Sequence, residues 1–272
     1  MYKGGIIIKK VLLYTSIIII GFFSFFIMKE HIQVSFYPLI KDYQKNRILE
    51  SLNDYETIKT KHFTIYFKED EKYIGQITGD IIEEYYDEVC LYFSHYPIDD
   101  IPIIIYENEK DLIDTVKLQE DTFHAPLGVY YSGTINLLSP NIWIEEDDLI
   151  EEYKRTTPVV HEFTHLIVDE KTKGNYPLWL TEGLALFIEE KLIGFQWNEG
   201  IGETSNITLK DLNYNFDNLK IDIAYRKSYE TIVYLNSKYE FDNINLLLDN
   251  LGIGGNINTS LKKVFKVSLS EI

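Results

Sequence analysis

His161-Glu162-Phe163-Thr164-His165, followed by Trp179-Leu180-Thr181-Glu182-Gly183, set the terms on which the rest of the chain is read. Positions four apart on a helix lie on one face, so His161 and His165 can grip one ion together. Glu162 projects beside that ion, placed to take a proton from a water. A zinc centre that works on a substrate takes three protein ligands and keeps a further position open. Glu182 is the candidate third ligand. It is a carboxylate among Leu178, Leu180, Leu184, Leu186, Phe187 and Ile188, and a carboxylate in so apolar a segment needs a partner. Thr157-Pro158 reads as a helix start, with Thr157 as N-cap and Pro158 at the first helical position, and Pro177 starts the second helix. Two stray histidines on a solvated helix are the bland alternative.

Upstream, Lys61–Phe67 alternates as a strand does, and Tyr73–Tyr92 carries apolar residues at helical spacing. Ile101–Tyr106 is a short apolar strand, with a short helix expected over Glu109–Lys117. Leu127–Tyr131 and Thr134–Leu138 flank the turn signal Ser132-Gly133 and predict a hairpin, with an edge that an extended peptide could pair with. The acidic run Glu145–Asp148 with Glu151 and Glu152 lacks the ligand order of a calcium loop and reads as a solvated face. Residues 194–206 read as a loop, and helices are expected over Ile223–Tyr239, Phe241–Asp249 and Ile257–Phe265. His62, His95 and His124 lie outside the metal spacing. The expected fold class is α+β: a small N-terminal mixed sheet with helices, then a helical C-terminal half, with the metal site between them.

At 272 residues and 45% hydrophobic, the chain can bury one sizeable core. The single cysteine, Cys90, excludes an intramolecular disulfide and a cysteine-rich metal site, and is expected as a buried, inert thiol. A formal charge of −17 argues against nucleic acid as a partner. Residues 1–10 are a basic start with Lys3, Lys9 and Lys10. Residues 11–28 hold eighteen residues without a charge, enough to cross a bilayer. The basic flank predicts a cytoplasmic N-terminus and an extracytoplasmic remainder, and a cleaved signal peptide is the alternative. Residues 29–58 read as a stalk or lead-in, and 59–272 as the working domain.

His161-Glu162-x-x-His165 with Glu182 resembles the gluzincins, the branch of zinc metallopeptidases that includes thermolysin and the zinc aminopeptidases. Trp179-Leu180-Thr181-Glu182-Gly183-Leu184-Ala185 is similar in particular to the short peptidase MA-like proteins. Ala224-Tyr225-Arg226-Lys227-Ser228 resembles the aminopeptidases' Tyr-x-x-Gly stretch, with Ser228 in the glycine's place. The resemblance implies a zincin-like catalytic domain with one zinc on His161, His165 and Glu182. Glu162 is then the general base, and Tyr225 (or, as the alternative, Tyr229) steadies the oxyanion. Sixteen residues separate His165 from Glu182, a trimmed connection, and no Gly-x-Met-Glu-Asn element stands upstream. That absence favours an endopeptidase acting on peptide or protein substrates over an aminopeptidase. The reading from another class is a membrane-anchored binding or assembly protein with a structural or vestigial zinc site.

Overall fold

A computed structural model describes residues 14, 29–117, 126–145, 149–194, 204 and 206–271. Five strands form one mixed sheet: β1 (Glu56–Lys59), β2 (Phe63–Phe67), β3 (Ile101–Tyr106), β4 (Gly128–Tyr131) and β5 (Thr134–Leu138). The order is β1-β2-β3-β5-β4. β2, β3 and β5 run parallel, and antiparallel β1 and β4 close the two edges. Helix α1 (residues 29–50) precedes the sheet. Helices α2 (Lys72–Phe93), α3 (Glu109–Val116), α4 (Leu149–Thr156) and α5 (Val159–Thr172) follow in and after it. The helical half is α6 (Leu178–Ile193), α7 (Leu209–Asn215), α8 (Ile221–Tyr239), α9 (Phe241–Gly252) and α10 (Ile257–Phe265).

All six residues of β3 are buried, because this central strand is covered on both faces. Its alternation sorts them: Ile101, Ile103 and Ile105 join the large core with α2, α5 and α6. Ile104 and Tyr106 face a smaller cluster with Ile48 of α1 and Leu112 and Val116 of α3. Buried Asn136 ties the hairpin together. Its amide donates to the Val129 and Thr134 carbonyls and to Thr134 Oγ1, and its Oδ1 accepts from the Tyr106 hydroxyl. The expected buried thiol is there: Cys90 is fully buried in α2, and burial pushes it up to about 12.

Three sequence expectations need correction. α5 begins at Val159, so Pro158 precedes the helix and Thr157 stands one place further out, its Oγ1 accepting from the Val159 N–H at 3.4 Å. α6 likewise begins at Leu178, after Pro177. The lead-in over 29–58 is no free stalk: α1 lies against the domain, and the sheet starts at Glu56 rather than after residue 59. Its partners are non-local, which local patterning does not report. The apolar stretch 11–28, save the helical Tyr14, and His124 lie outside the described residues; among those described, no helix is long and apolar enough to cross a membrane.

α6 and α8 cross at Gly183, where an added Cβ would stand 2.5 Å from the Ser228 carbonyl oxygen and 2.7 Å from Ile232 Cγ1. The backbone of α8 gives way poorly. Gly183→Ala is therefore expected to destabilise by about 1–3 kcal/mol through overpacking, in spite of alanine's better helix propensity. A thermal melt checks this, and an unchanged midpoint would mean the helices are further apart. Ser228, where the resembled stretch has glycine, is accommodated: it is fully buried and its hydroxyl donates to the Ala224 carbonyl.

Candidate metal centre

α5 and α6 bring His161, His165 and Glu182 together, with one ligand atom from each lying within 4.8 Å of the others. Glu182 Oε2 sits 3.6 Å from His161 Nε2 and 3.6 Å from His165 Nε2. Two ligand atoms on a tetrahedral zinc at ~2.0–2.1 Å would lie roughly 3.3 Å apart, so the spacing suits that ion. Glu182 Oε2 is buried and accepts no hydrogen bond. A buried carboxylate oxygen without a donor is costly unless a cation meets it. The two imidazole rings stand at 81°, edge to face, with both Nε2 atoms 3.6 Å from the one Glu182 oxygen. The residues fit a zinc ion.

Each ring is held from behind. His161 Nδ1 lies 3.1 Å from Glu189 Oε2, and His165 Nδ1 lies 2.6 Å from Thr181 Oγ1. A proton on each Nδ1 leaves both Nε2 lone pairs free for a metal. Sequence reasoning missed these two residues. Glu189 stands seven residues, two helical turns, beyond Glu182 in the same apolar segment, which was the available signal; Thr181 offered none.

The charges in this group act strongly on one another. Burial opposes charge on His161, but the carboxylates of Glu182 and Glu189 prevail and raise it well above the ordinary imidazole range. Burial and the neighbouring His161 lower His165 to about 4 against the pull of Glu182. Burial works to raise Glu182, yet the two histidines hold it below the usual range.

Glu162 is buried beside this group, and burial pushes it up to about 7. Its Oε2 accepts the Tyr130 backbone N–H of β4 at 2.5 Å. Gly128 makes room for it: a Cβ there would meet Glu162 Cγ at 2.9 Å and Oε1 at 3.0 Å. The hairpin edge expected to receive a peptide thus has its Tyr130 donor turned onto the carboxylate.

Burial and the nearby carboxylates of Glu182 and Glu162 raise the Tyr225 hydroxyl well above the usual phenol range, so it stays a donor. Tyr229, the alternative, gives its hydroxyl to Glu190 instead. His62 pairs with Glu83 and stacks on Tyr86, and His95 pairs with Glu170, both away from the candidate centre.

Residues 94–271, about two-thirds of the chain, match the Peptidase MA superfamily, and the chain belongs to it. No curated protein matches the chain. The domain is therefore metallopeptidase-like, and the matched span contains every residue of the candidate centre.

Proposed function

From this membership we propose that the chain is a gluzincin-type zinc metallopeptidase, an endopeptidase, held at the cell membrane by residues 11–28 with its catalytic domain outside. The observation that carries the reading is the orphaned, buried Glu182 Oε2 facing two oriented histidines, with the buried Glu162 carboxylate beside them. Among the described residues the group numbers three. A purely structural zinc site takes four protein ligands, so this donor set supports catalysis over the binding or assembly reading.

Zinc, when held by His161, His165 and Glu182, supplies a Lewis acid that makes water acidic enough to attack at neutral pH and polarises the scissile carbonyl. Glu162 does the proton work. Its Oε2 is occupied by the Tyr130 N–H, so Oε1 takes the proton of the attacking water and later passes it to the leaving amine. Tyr225 donates its hydroxyl to the oxygen on which negative charge develops. Glu189 and Thr181 keep both rings in the tautomer that presents Nε2.

The test is digestion of a mixed peptide library by the zinc-loaded protein, beside the same protein stripped with a chelator, read by mass spectrometry. Internal cleavages that vanish with the metal support the proposal. Loss of single N-terminal residues would replace it with an aminopeptidase, and no cleavage would sink the peptidase reading. Tyr225→Phe is expected to lower kcat by about 10²-fold, the cost of one oxyanion donor, with zinc content unchanged. Full activity in that variant would remove Tyr225 from the mechanism.

A further inference from the structure

We propose that helix α1 is a positioning element of the candidate centre: Tyr37 and Lys41, through the buried carboxylate of Asp169, hold the β4–β5 hairpin onto Glu162. This rests on the role given to Glu162 above.

Asp169 lies on α5 four residues beyond His165, on the same face one turn on. It is fully buried and close to the C-terminal end of the helix, where the backbone dipole disfavours negative charge. A carboxylate so placed must be paired. Its partners come from elsewhere in the fold. Tyr37 donates its hydroxyl to Oδ1 at 2.5 Å, and the Lys41 ammonium reaches Oδ2 at 3.1 Å. The Tyr130 hydroxyl donates to Oδ2 at 2.7 Å.

Tyr130 joins this cage to the centre. One residue has its hydroxyl on Asp169 and its backbone N–H on Glu162. The same hydroxyl accepts from the Gly133 N–H at 3.1 Å, so the hairpin turn closes on it. α1 grips that turn a second time through Ser132 Oγ and Gln44 Oε1, 2.6 Å apart. α1 is itself seated on the end of α5. Gln33 donates to the Gly174 carbonyl at 2.9 Å, and the Tyr37 ring covers Gly174 so closely that a Cβ would stand 2.5 Å from it. The contacts run unbroken from α1 through Asp169 and Tyr130 to Glu162. None of them holds the metal group, whose rings are oriented from α6. Disturbing α1 therefore separates proton transfer from metal binding.

The experiment compares the zinc-loaded full chain in detergent micelles with the Tyr37→Phe/Lys41→Met double variant. Three quantities are read: amide hydrogen exchange, zinc content, and kcat with KM on a library-derived peptide. The Tyr130 amide is expected to exchange about tenfold faster, as loss of one ordinary hydrogen bond would give, with zinc content unchanged. kcat is expected to fall about tenfold while KM stays within about twofold, since the lost positioning is of the base and not of the substrate. Lys41→Arg, which keeps the charge, retains wild-type exchange at Tyr130. Faster exchange confined to α1, or spread evenly over β2, β3 and β5, would overturn the proposal. Exchange is readable in a protein without turnover, so failure of the peptidase reading remains distinguishable from failure of the coupling.

Discussion

Glu162→Gln is expected to lower turnover by about 10²–10⁴-fold, the contribution of a positioned general base, while zinc stays bound. The substitution is nearly isosteric, so the new side chain can still fill the space that Gly128 leaves open and accept the Tyr130 N–H through its amide oxygen. What it cannot do is take a proton. The ligand set is untouched, because the His161 and His165 rings owe their orientation to Glu189 and Thr181. Metal analysis and single-turnover kinetics on one sample separate the two effects. Turnover at the wild-type rate would move the proton transfer to another group.

Glu182→Ala is expected to abolish both metal binding and turnover. Two histidines alone do not make a stable catalytic zinc site, and the substitution removes the one ligand supplied by α6. Stability reports the loss independently of activity. In the wild type, zinc at about 1,000 times its dissociation constant adds about 4 kcal/mol to the folded state. For a domain of this size that is roughly 10 °C in the melting midpoint. Stripping the wild type with a chelator should remove that increment, and the variant should melt at one temperature with or without zinc. A zinc-dependent midpoint in the variant would mean that another residue completes the ligand set.

The centre was legible wherever its chemistry is local. His161 and His165 are fixed by helical spacing, and Glu182 betrayed itself as a carboxylate in an apolar run. β3, β5 and α10 run over the residues the pattern indicates, because strand alternation and breaks in periodicity mark their ends. What stayed hidden depends on partners far along the chain. β1 is short and largely exposed, and only its pairing with β2 makes it a strand. α1 carries Phe36, Leu39, Ile40 and Tyr43 exposed, so its apolar content says little about the face that docks. Asp169 reads by itself as a solvated helix carboxylate, although it closes the apolar run Leu166-Ile167-Val168. The hairpin was visible as two strands and a turn, but not that its edge donor is given to Glu162.

The sequence distances in these contacts also order their cost. The ligands that surround the metal position lie within 22 consecutive residues, from His161 to Glu182, whereas the Tyr37–Asp169 bond spans 132. Closing the longer loop costs about 1.6 kcal/mol more in chain entropy. A nascent or partly opened chain therefore regathers His161, His165 and Glu182 at a smaller entropic cost than it recovers the clasp of α1. In assembly, gathering His161, His165 and Glu182 and seating Glu162 against the hairpin are separate thermodynamic events.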